Sequence, residues 1–254
     1  MLDVIESVEK SRSASLPATQ VESAGPYLPT CAACIARELG GCPGYGVKQQ
    51  SGARSVSQTF PARRTILHQR ELADVVPVIC SGWAATSLPT PHGKRQVVAF
   101  LIAGDTASIN YLFEACGGRA IEAVSPVTCR KFRRADLQAA AIRHPAFLSI
   151  IGKALADERE SRDQLNFDLS RRSAESRITH LILGIYARLK RRGLAKDGAF
   201  EFPLRQQQLA DALGLTAVHV CKIISRLRSA RIIELQGRKL KILDPKVLAL
   251  LAEQ

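Results

Sequence analysis

Three cysteines near the N-terminus are the residues of this sequence with the clearest capacity for chemistry. Cys31, Cys34 and Cys42 are separated by two and by seven residues. Thiolates at such short spacings can converge on one metal centre, and four thiolates hold both [4Fe–4S] clusters and many zinc sites. Because the chain has seven cysteines, an odd number, metal ligation or reactive thiols are favoured over a disulfide framework.

The elements that must position these thiols follow the cysteine loop directly. From about residue 55 to residue 134, short apolar runs alternate with glycines and prolines, a pattern typical of an all-β roll or barrel. Cys80 lies within one apolar run, where we interpret it as a core residue. The runs occupy residues 65–67, 75–80, 96–102 and 120–124.

The pattern changes to that of a long helix beyond Ala135. Pro145 is suited to the first turn of a helix. Apolar residues then recur in steps of three and four, as in a coiled-coil seam, which predicts a homodimer. The alternative is a helix that packs only on its own domain. The seam residues are Leu148, Ile151, Leu155, Leu165 and Leu169.

A helix-turn-helix is the strongest signal in the sequence, and it spans residues 204–228. Gly214 fits the turn between the helices, and Thr216 fits the N-cap of the second helix. The apolar residues of this second helix fall on one side, which leaves a polar side for bases in the major groove and for phosphates. The predicted DNA-binding residues are Thr216, Val218, His219, Cys221, Lys222, Arg226 and Arg228.

Two short apolar runs flanking Gly237 follow the helix-turn-helix and predict a hairpin with basic flanks. Such a hairpin suits the wing of a winged helix. The chain carries a net charge of +13, which favours a polyanionic partner such as double-stranded DNA, although a generically basic protein is the simpler alternative.

The sequence has no stretch of about 20 apolar residues that would span a membrane, and no apolar run of signal-peptide type. We therefore expect a cytoplasmic protein without membrane association. No nucleophile–base pair or phosphate-binding loop is evident, so we do not expect an enzyme. The predicted domains are a flexible tail (1–30), the cysteine loop with the roll (31–135), a dimerisation helix (136–170) and a winged helix-turn-helix domain (171–254).

The order of these elements resembles the Crp/Fnr superfamily of transcription regulators. The resemblance is most specific at residues 208–216. Residues 169–177 are also similar to the link that follows the dimerisation helix in this superfamily. It implies an α+β fold with a cyclic-nucleotide-binding-type β-roll and a homodimer on a palindromic operator. It also implies action as an activator, with RNA polymerase as a further partner.

Within that superfamily, the motif formed by Cys31, Cys34 and Cys42 resembles the oxygen-sensing Fnr group of alphaproteobacterial type. The resemblance implies an oxygen-labile [4Fe–4S] cluster with a fourth ligand from the roll. Residues 123–132 are similar to the strand that carries this ligand, which makes Cys129 the expected fourth ligand and Cys116 the second choice. A regulator with a zinc site or another small effector remains the alternative.

Two departures from the superfamily pattern limit what the resemblance implies. The positions that match the nucleotide-binding Gly-Glu and Arg-Ser/Thr pairs are Gly104-Asp105 and Arg119-Ala120, so we do not expect cyclic AMP to bind. The Fnr recognition pattern Glu-x-x-Ser-Arg is replaced by Val218, Cys221 and Lys222, so the usual Fnr half-site is not expected. An iron–sulfur electron carrier or enzyme is disfavoured by the basic winged helix.

Overall fold

A computed structural model describes residues 55–70, 74–90, 93–106, 109–114, 118–143 and 146–253. The predicted tail, the cysteine loop and Cys116 lie outside these ranges. The described chain begins with a β-rich unit, continues through two helices, and ends in a unit of helices and short strands. The expected fold class is confirmed by this order of elements.

The β-rich unit is a roll made of two antiparallel sheets. The strands are β1 (Ser55–Phe60), β2 (Thr65–Leu67), β3 (Val75–Ser81), β4 (Ala84–Pro89), β5 (Arg95–Leu101), β6 (Ala120–Ala123) and β7 (Val127–Arg133). The three-stranded sheet has the order β1-β7-β3, and the four-stranded sheet has the order β2-β6-β4-β5. The sequence predicted four of these strands and also singled out β7.

The core of the roll lies between these sheets and is closed by helical segments. Val78, Ala123 and Phe132 are completely buried there. A short 3-10 helix, Ile109–Leu112, and the helix α1, Arg134–Arg143, cover the core. Burial of apolar surface at these positions stabilises the roll independently of any ligand.

The long helix α2, Ala146–Arg171, begins next to Pro145, as expected from a proline in the first turn, although the predicted dimerisation segment began at residue 136. The preceding stretch forms α1 instead. The physical reason is Pro145, because a proline lacks an amide hydrogen and disfavours helical conformation in the residue before it. The assignment of Ile151 to the dimer seam is wrong for this chain, since Ile151 is 4% exposed and packs into the roll core.

The C-terminal unit is a winged helix. The elements are α3 (Ala174–Arg191), β8 (Ala195–Lys196), β9 (Ala199–Glu201), α4 (Gln206–Leu213), α5 (Ala217–Ser229), β10 (Ile233–Gln236), β11 (Lys239–Ile242) and α6 (Pro245–Glu253). The short strands form one antiparallel sheet of order β10-β11-β9-β8. The sequence predicted the helices α4 and α5 and the β10–β11 hairpin.

The roll and the winged helix share one apolar cluster. Trp83 and Phe100 of the roll belong to the same buried cluster as Ile182 of α3 and Leu213 of α4. The two units therefore pack against each other within one chain. Among the described residues, no helix is both long enough and apolar enough to cross a membrane.

Candidate DNA-binding surface and cysteine sites

The turn between α4 and α5 has the geometry of a helix-turn-helix. Gly214 has φ of 65°, a left-handed conformation that costs little without a Cβ atom. Thr216 then caps α5, because its hydroxyl accepts a hydrogen bond from the backbone N–H of His219 at 3.2 Å. Both predicted turn residues thus occupy the places assigned to them.

The helix α5 has one buried side and one exposed side. Val220 and Leu227 are completely buried, and Ile223 is nearly so. Val218 is 65% exposed. Such a helix keeps its N-terminal polar side available for a groove of DNA. His219, Lys222, Arg226 and Arg228 are exposed, and Cys221 is half-buried.

Arg226 is the one of these residues for which the structure gives an ion pair. Its Nη2 lies 3.0 Å from Oε2 of Glu175 on α3, and the Arg226 side chain is 62% exposed. An ion pair this exposed contributes little to stability. Arg226 can therefore exchange Glu175 for a phosphate.

The wing is a tight hairpin that projects basic side chains. Gln236 and Lys239 are register partners across its turn, and Gly237 has φ of 57°. Lys239 and Lys241 are exposed, whereas Leu240 between them is completely buried. The alternation directs the positive charges outward, where phosphates of a DNA backbone can meet them.

A hydrogen-bonded hub that the sequence analysis missed joins α2 to α3. Asp168 is 7% exposed, and its carboxylate accepts from Arg172 Nε at 2.8 Å and from Gln164 at 2.7 Å. His180 Nδ1 lies 2.7 Å from Asp168 Oδ2. The i to i+4 spacing of Gln164, Asp168 and Arg172 is the only sequence signal of this hub, and such spacing is common on solvated helices.

Cys129 lies on β7, the central strand of the three-stranded sheet. Its register partners are Gln58 on β1 and Ile79 on β3. The thiol is completely buried, and this burial raises its pKa to about 12, against the opposing effect of Lys131. In the described ranges no group of three His, Cys, Asp or Glu residues comes together as a metal site.

The other cysteines differ in their surroundings. Cys80 and Cys221 are half-buried, so the interpretation of Cys80 as a core residue holds only in part. Cys31, Cys34 and Cys42 lie outside the described residues. Their convergence with Cys129 therefore stays a prediction.

The two charges at the expected nucleotide-binding positions are engaged in ion pairs with helices. Asp105 contacts Arg188 of α3 and Arg192, the residue that follows α3. Arg119 Nη1 lies 3.5 Å from Glu158 Oε1 on α2. The roll thus directs these side chains to its neighbouring helices.

The helix α2 leaves large apolar side chains in solvent. Leu148 is 58% exposed, Leu155 is 38% exposed, and Phe167 is 51% exposed. A shallow groove along the same helix is lined by Ala156, Glu160, Asp163 and Phe167 among others. Leu148 and Leu155 thus have the exposure expected of the seam. Phe167 lies about 100° around α2 from Leu148, so it does not belong to the same seam.

Two family models match the chain and together define its class. A model described as a cyclic nucleotide-binding domain matches residues 57–144. A model described as a Crp-like helix-turn-helix domain matches residues 176–251. The molecule is a DNA-binding regulator in which a cyclic-nucleotide-type roll precedes a helix-turn-helix.

Curated relatives agree with this class. The transcriptional activatory protein AadR of Rhodopseudomonas palustris is 28% identical over 84% of this chain and 89% of its own length. The nitrogen fixation regulation protein FixK of Bradyrhizobium diazoefficiens is 27% identical over 73% of this chain and 77% of its own. The transcriptional activator protein FnrL of Cereibacter sphaeroides is 25% identical over 72% of this chain and 74% of its own.

A solved structure shares the fold. FixK2 from Bradyrhizobium japonicum superposes with a TM-score of 0.71 at 23% identity, over 78% of this chain and 97% of that one. This likeness shows the fold, and the two domain matches with the relatives above identify the family. The chain belongs to the Crp/Fnr family of transcription regulators.

Proposed function

We propose that this regulator binds a palindromic operator as a homodimer, and that an oxygen-labile [4Fe–4S] cluster controls this binding. The proposed ligands are Cys31, Cys34, Cys42 and Cys129. The cytoplasm is the proposed compartment. By analogy with the relatives named as activators, the dimer would activate transcription through contact with RNA polymerase.

The observation that carries the cluster proposal is the pairing of β1 with β7. The segment with Cys31, Cys34 and Cys42 runs directly into β1, and Gln58 of β1 lies opposite Cys129. Twelve residues separate Cys42 from Ser55. Such a segment spans at most about 40 Å, which is ample for the N-terminal thiols to reach the strand of Cys129.

Cys129 can serve as a buried thiolate ligand if its thiol loses its proton when iron binds. Burial raises the pKa of its thiol to about 12, so the thiol holds its proton at neutral pH when no iron is bound. Ligation has to displace that proton, as it does for any coordinating cysteine. When bound, a [4Fe–4S] cluster supplies oxygen-sensitive iron–thiolate bonds that tie the N-terminal segment to the roll.

The dimer proposal is supported by the exposed apolar side of α2. Leu148 and Leu155 are seven residues apart, which places them on one side of the helix, and both leave apolar area in solvent. A second copy of α2 can cover this area, and two copies bring two α5 helices to one operator. Binding of two half-sites by one dimer raises the overall affinity far above that of one half-site.

A set of single Cys→Ala variants, purified without air, tests the cluster. Cys31→Ala, Cys34→Ala, Cys42→Ala and Cys129→Ala should each lose iron, sulfide and the absorption of the cluster. Cys80→Ala and Cys221→Ala are the matched controls and should keep full iron content. Iron-free wild-type protein, or full iron content in the three N-terminal variants, would contradict the proposal.

The same measurement separates the two candidate sites for the fourth ligand and the alternative metal. If Cys116→Ala loses the cluster while Cys129→Ala keeps it, the fourth ligand is Cys116. If the protein contains zinc and no iron, the alternative of a zinc-containing regulator with another effector replaces the sensor proposal.

A further inference from the structure

Two carboxylates connect the roll to the winged helix. Asp211 of α4 pairs with Arg95 of β5, with Arg95 Nε 3.0 Å from Asp211 Oδ2. Asp105 follows β5, and its Oδ2 accepts the backbone N–H of Ile102 at 2.8 Å. Two arginines donate to the Asp105 carboxylate, one on α3 and one at the C-cap of α3. Arg188 Nη2 donates to Oδ2, and Arg192 Nη2 donates to Oδ1 at 2.5 Å. One side chain of the roll thus holds two side chains of the DNA-binding domain.

The same two arginines also bind backbone carbonyls of the roll. Arg188 Nη1 donates to the carbonyl oxygen of Phe100 at 3.0 Å, and Arg192 Nη1 donates to that of Ala103 at 2.7 Å. Each guanidinium therefore bridges a carboxylate and a carbonyl. Because the guanidinium is planar and its donors are fixed, such double contacts define an orientation more sharply than a single ion pair.

These ion pairs are largely shielded from water. The side chains of Asp105, Arg188 and Arg192 are 14%, 31% and 17% exposed. For comparison, Asp74 pairs with Arg134 inside the roll but is 63% exposed. Removing one partner of a shielded pair costs more than removing one partner of an exposed pair, because the remaining charge is left without compensation.

The position of α3 sets the position of the recognition helix. Arg177 of α3 donates to the carbonyl oxygen of Leu213 at the end of α4, at 2.9 Å. Ile182 of α3 and Ile223 of α5 belong to the same buried cluster. A constraint on α3 is therefore transmitted to α5 through a packed core, which resists deformation.

We propose that Asp105 is a positioning residue for operator binding. Asp105 holds the winged helix docked on its own roll, with Val218 and Lys222 of α5 exposed. In a dimer, two docked domains present their recognition helices at one fixed separation. The proposal rests on the proposed binding of a palindromic operator by a homodimer.

Loss of the Asp105 carboxylate should affect two half-sites far more than one. An undocked domain still contains an intact α5, so binding to an isolated half-site does not require docking. Binding to a palindrome requires both domains to be docked at once. Since apparent affinity falls in proportion to the competent fraction, the affinity for the palindrome should drop roughly ten- to a hundredfold.

The experiment compares anaerobically purified, full-length variants on two DNA probes by fluorescence anisotropy. One probe is a palindromic duplex selected in vitro with the wild-type protein, and the other has one half-site scrambled. Asp105→Asn should lose affinity for the palindrome and keep its affinity for the single half-site. Asp105→Glu, which retains the charge, should recover part of the loss.

Asp74→Asn is the matched control, because it removes an Asp–Arg pair in which neither partner belongs to the winged helix. The control should bind both probes like the wild type. If Asp105→Asn does not fold, a variant with Arg188→Gln and Arg192→Gln removes the same contact from the other side and should show the same selective loss.

The outcomes distinguish the inference from the proposal on which it depends. A wild-type protein that binds both probes equally would contradict the dimeric binding of a palindrome. A wild type that prefers the palindrome, combined with Asp105→Asn and double arginine variants that keep this preference, would overturn the role of Asp105 alone. Equal losses on both probes would also overturn it, since they would indicate a general defect of the fold.

Discussion

The helices α5 and α2 are both amphipathic, but among the described residues only α5 has nearly all of its large apolar side chains buried. Val220 and Leu227 of α5 are at 0% exposure, and Val218 near its N-terminus is the exposed exception. On α2, Leu148 and Leu155 remain 58% and 38% exposed. The apolar side of α5 is packed and its other side is open to DNA, whereas α2 has apolar residues that the described part of the chain does not cover.

This difference separates the two tasks of the regulator. A completed helix such as α5 keeps its structure when DNA is absent, so its exposed residues can be changed with little effect on folding. In the proposed homodimer, the exposed apolar residues of α2 make the assembly depend on a second copy. Substitutions on α2 should therefore act on DNA binding through mass action, and substitutions on α5 through direct contacts.

The largest effect is expected from Leu148→Glu on α2. Leu148 is 58% exposed, so a charge there leaves the fold of the monomer intact but opposes burial against a second helix. Operator affinity should fall by roughly a hundredfold or more, because the two half-sites are no longer bound by one particle. Sedimentation equilibrium should show a monomer, with Ser161→Glu on a solvated part of the same helix as the control. A stable dimer of Leu148→Glu would contradict the assignment of the exposed apolar residues of α2 to a dimer interface.

A smaller effect is expected from Arg226→Ala on α5. Loss of one phosphate contact in each chain should weaken binding to all sequences and reduce the slope of log K against log salt by about 0.9 for each contact. Glu175→Gln removes the same ion pair and leaves the arginine in place, so it serves as the control. An unchanged salt slope in Arg226→Ala would show that Arg226 makes no phosphate contact.

The smallest effect on overall affinity is expected from His219→Ala. His219 is exposed near the N-terminus of α5, where side chains reach base edges. Its removal should shift the preferred base at one position of each half-site, with a discrimination of about 1–3 kcal/mol. Selection of binding sites from random duplexes measures the shift. A selected sequence identical to that of the wild type would exclude His219 from base reading.

The sequence predicted the winged helix well because its signals are local. Gly214, Thr216 and the spacing of Val220, Ile223 and Leu227 each determine structure within a few residues. The same holds for the hairpin around Gly237. At these positions the predicted and the observed conformations agree.

The sequence could not predict features that depend on distant contacts. Ile151 has the spacing of a seam residue, but whether it faces the roll or a second helix depends on how α2 crosses the roll. The strands β1 and β4 lack a continuous apolar run, and the polar residues of β1 give it the sequence pattern of a loop. The contact of Asp105 with Arg188 spans 83 residues, a separation at which no local pattern is informative.

Operator binding by the wild-type protein before and after exposure to air tests the central proposal most directly. Protein purified without air should be dimeric, contain iron and protect both half-sites of a selected palindrome. After air exposure, iron, dimer mass and protection should be lost together, whereas Cys31→Ala should show the weak binding from the start. Protection that is equal with and without air, in a protein that contains iron, would contradict control of DNA binding by a cluster.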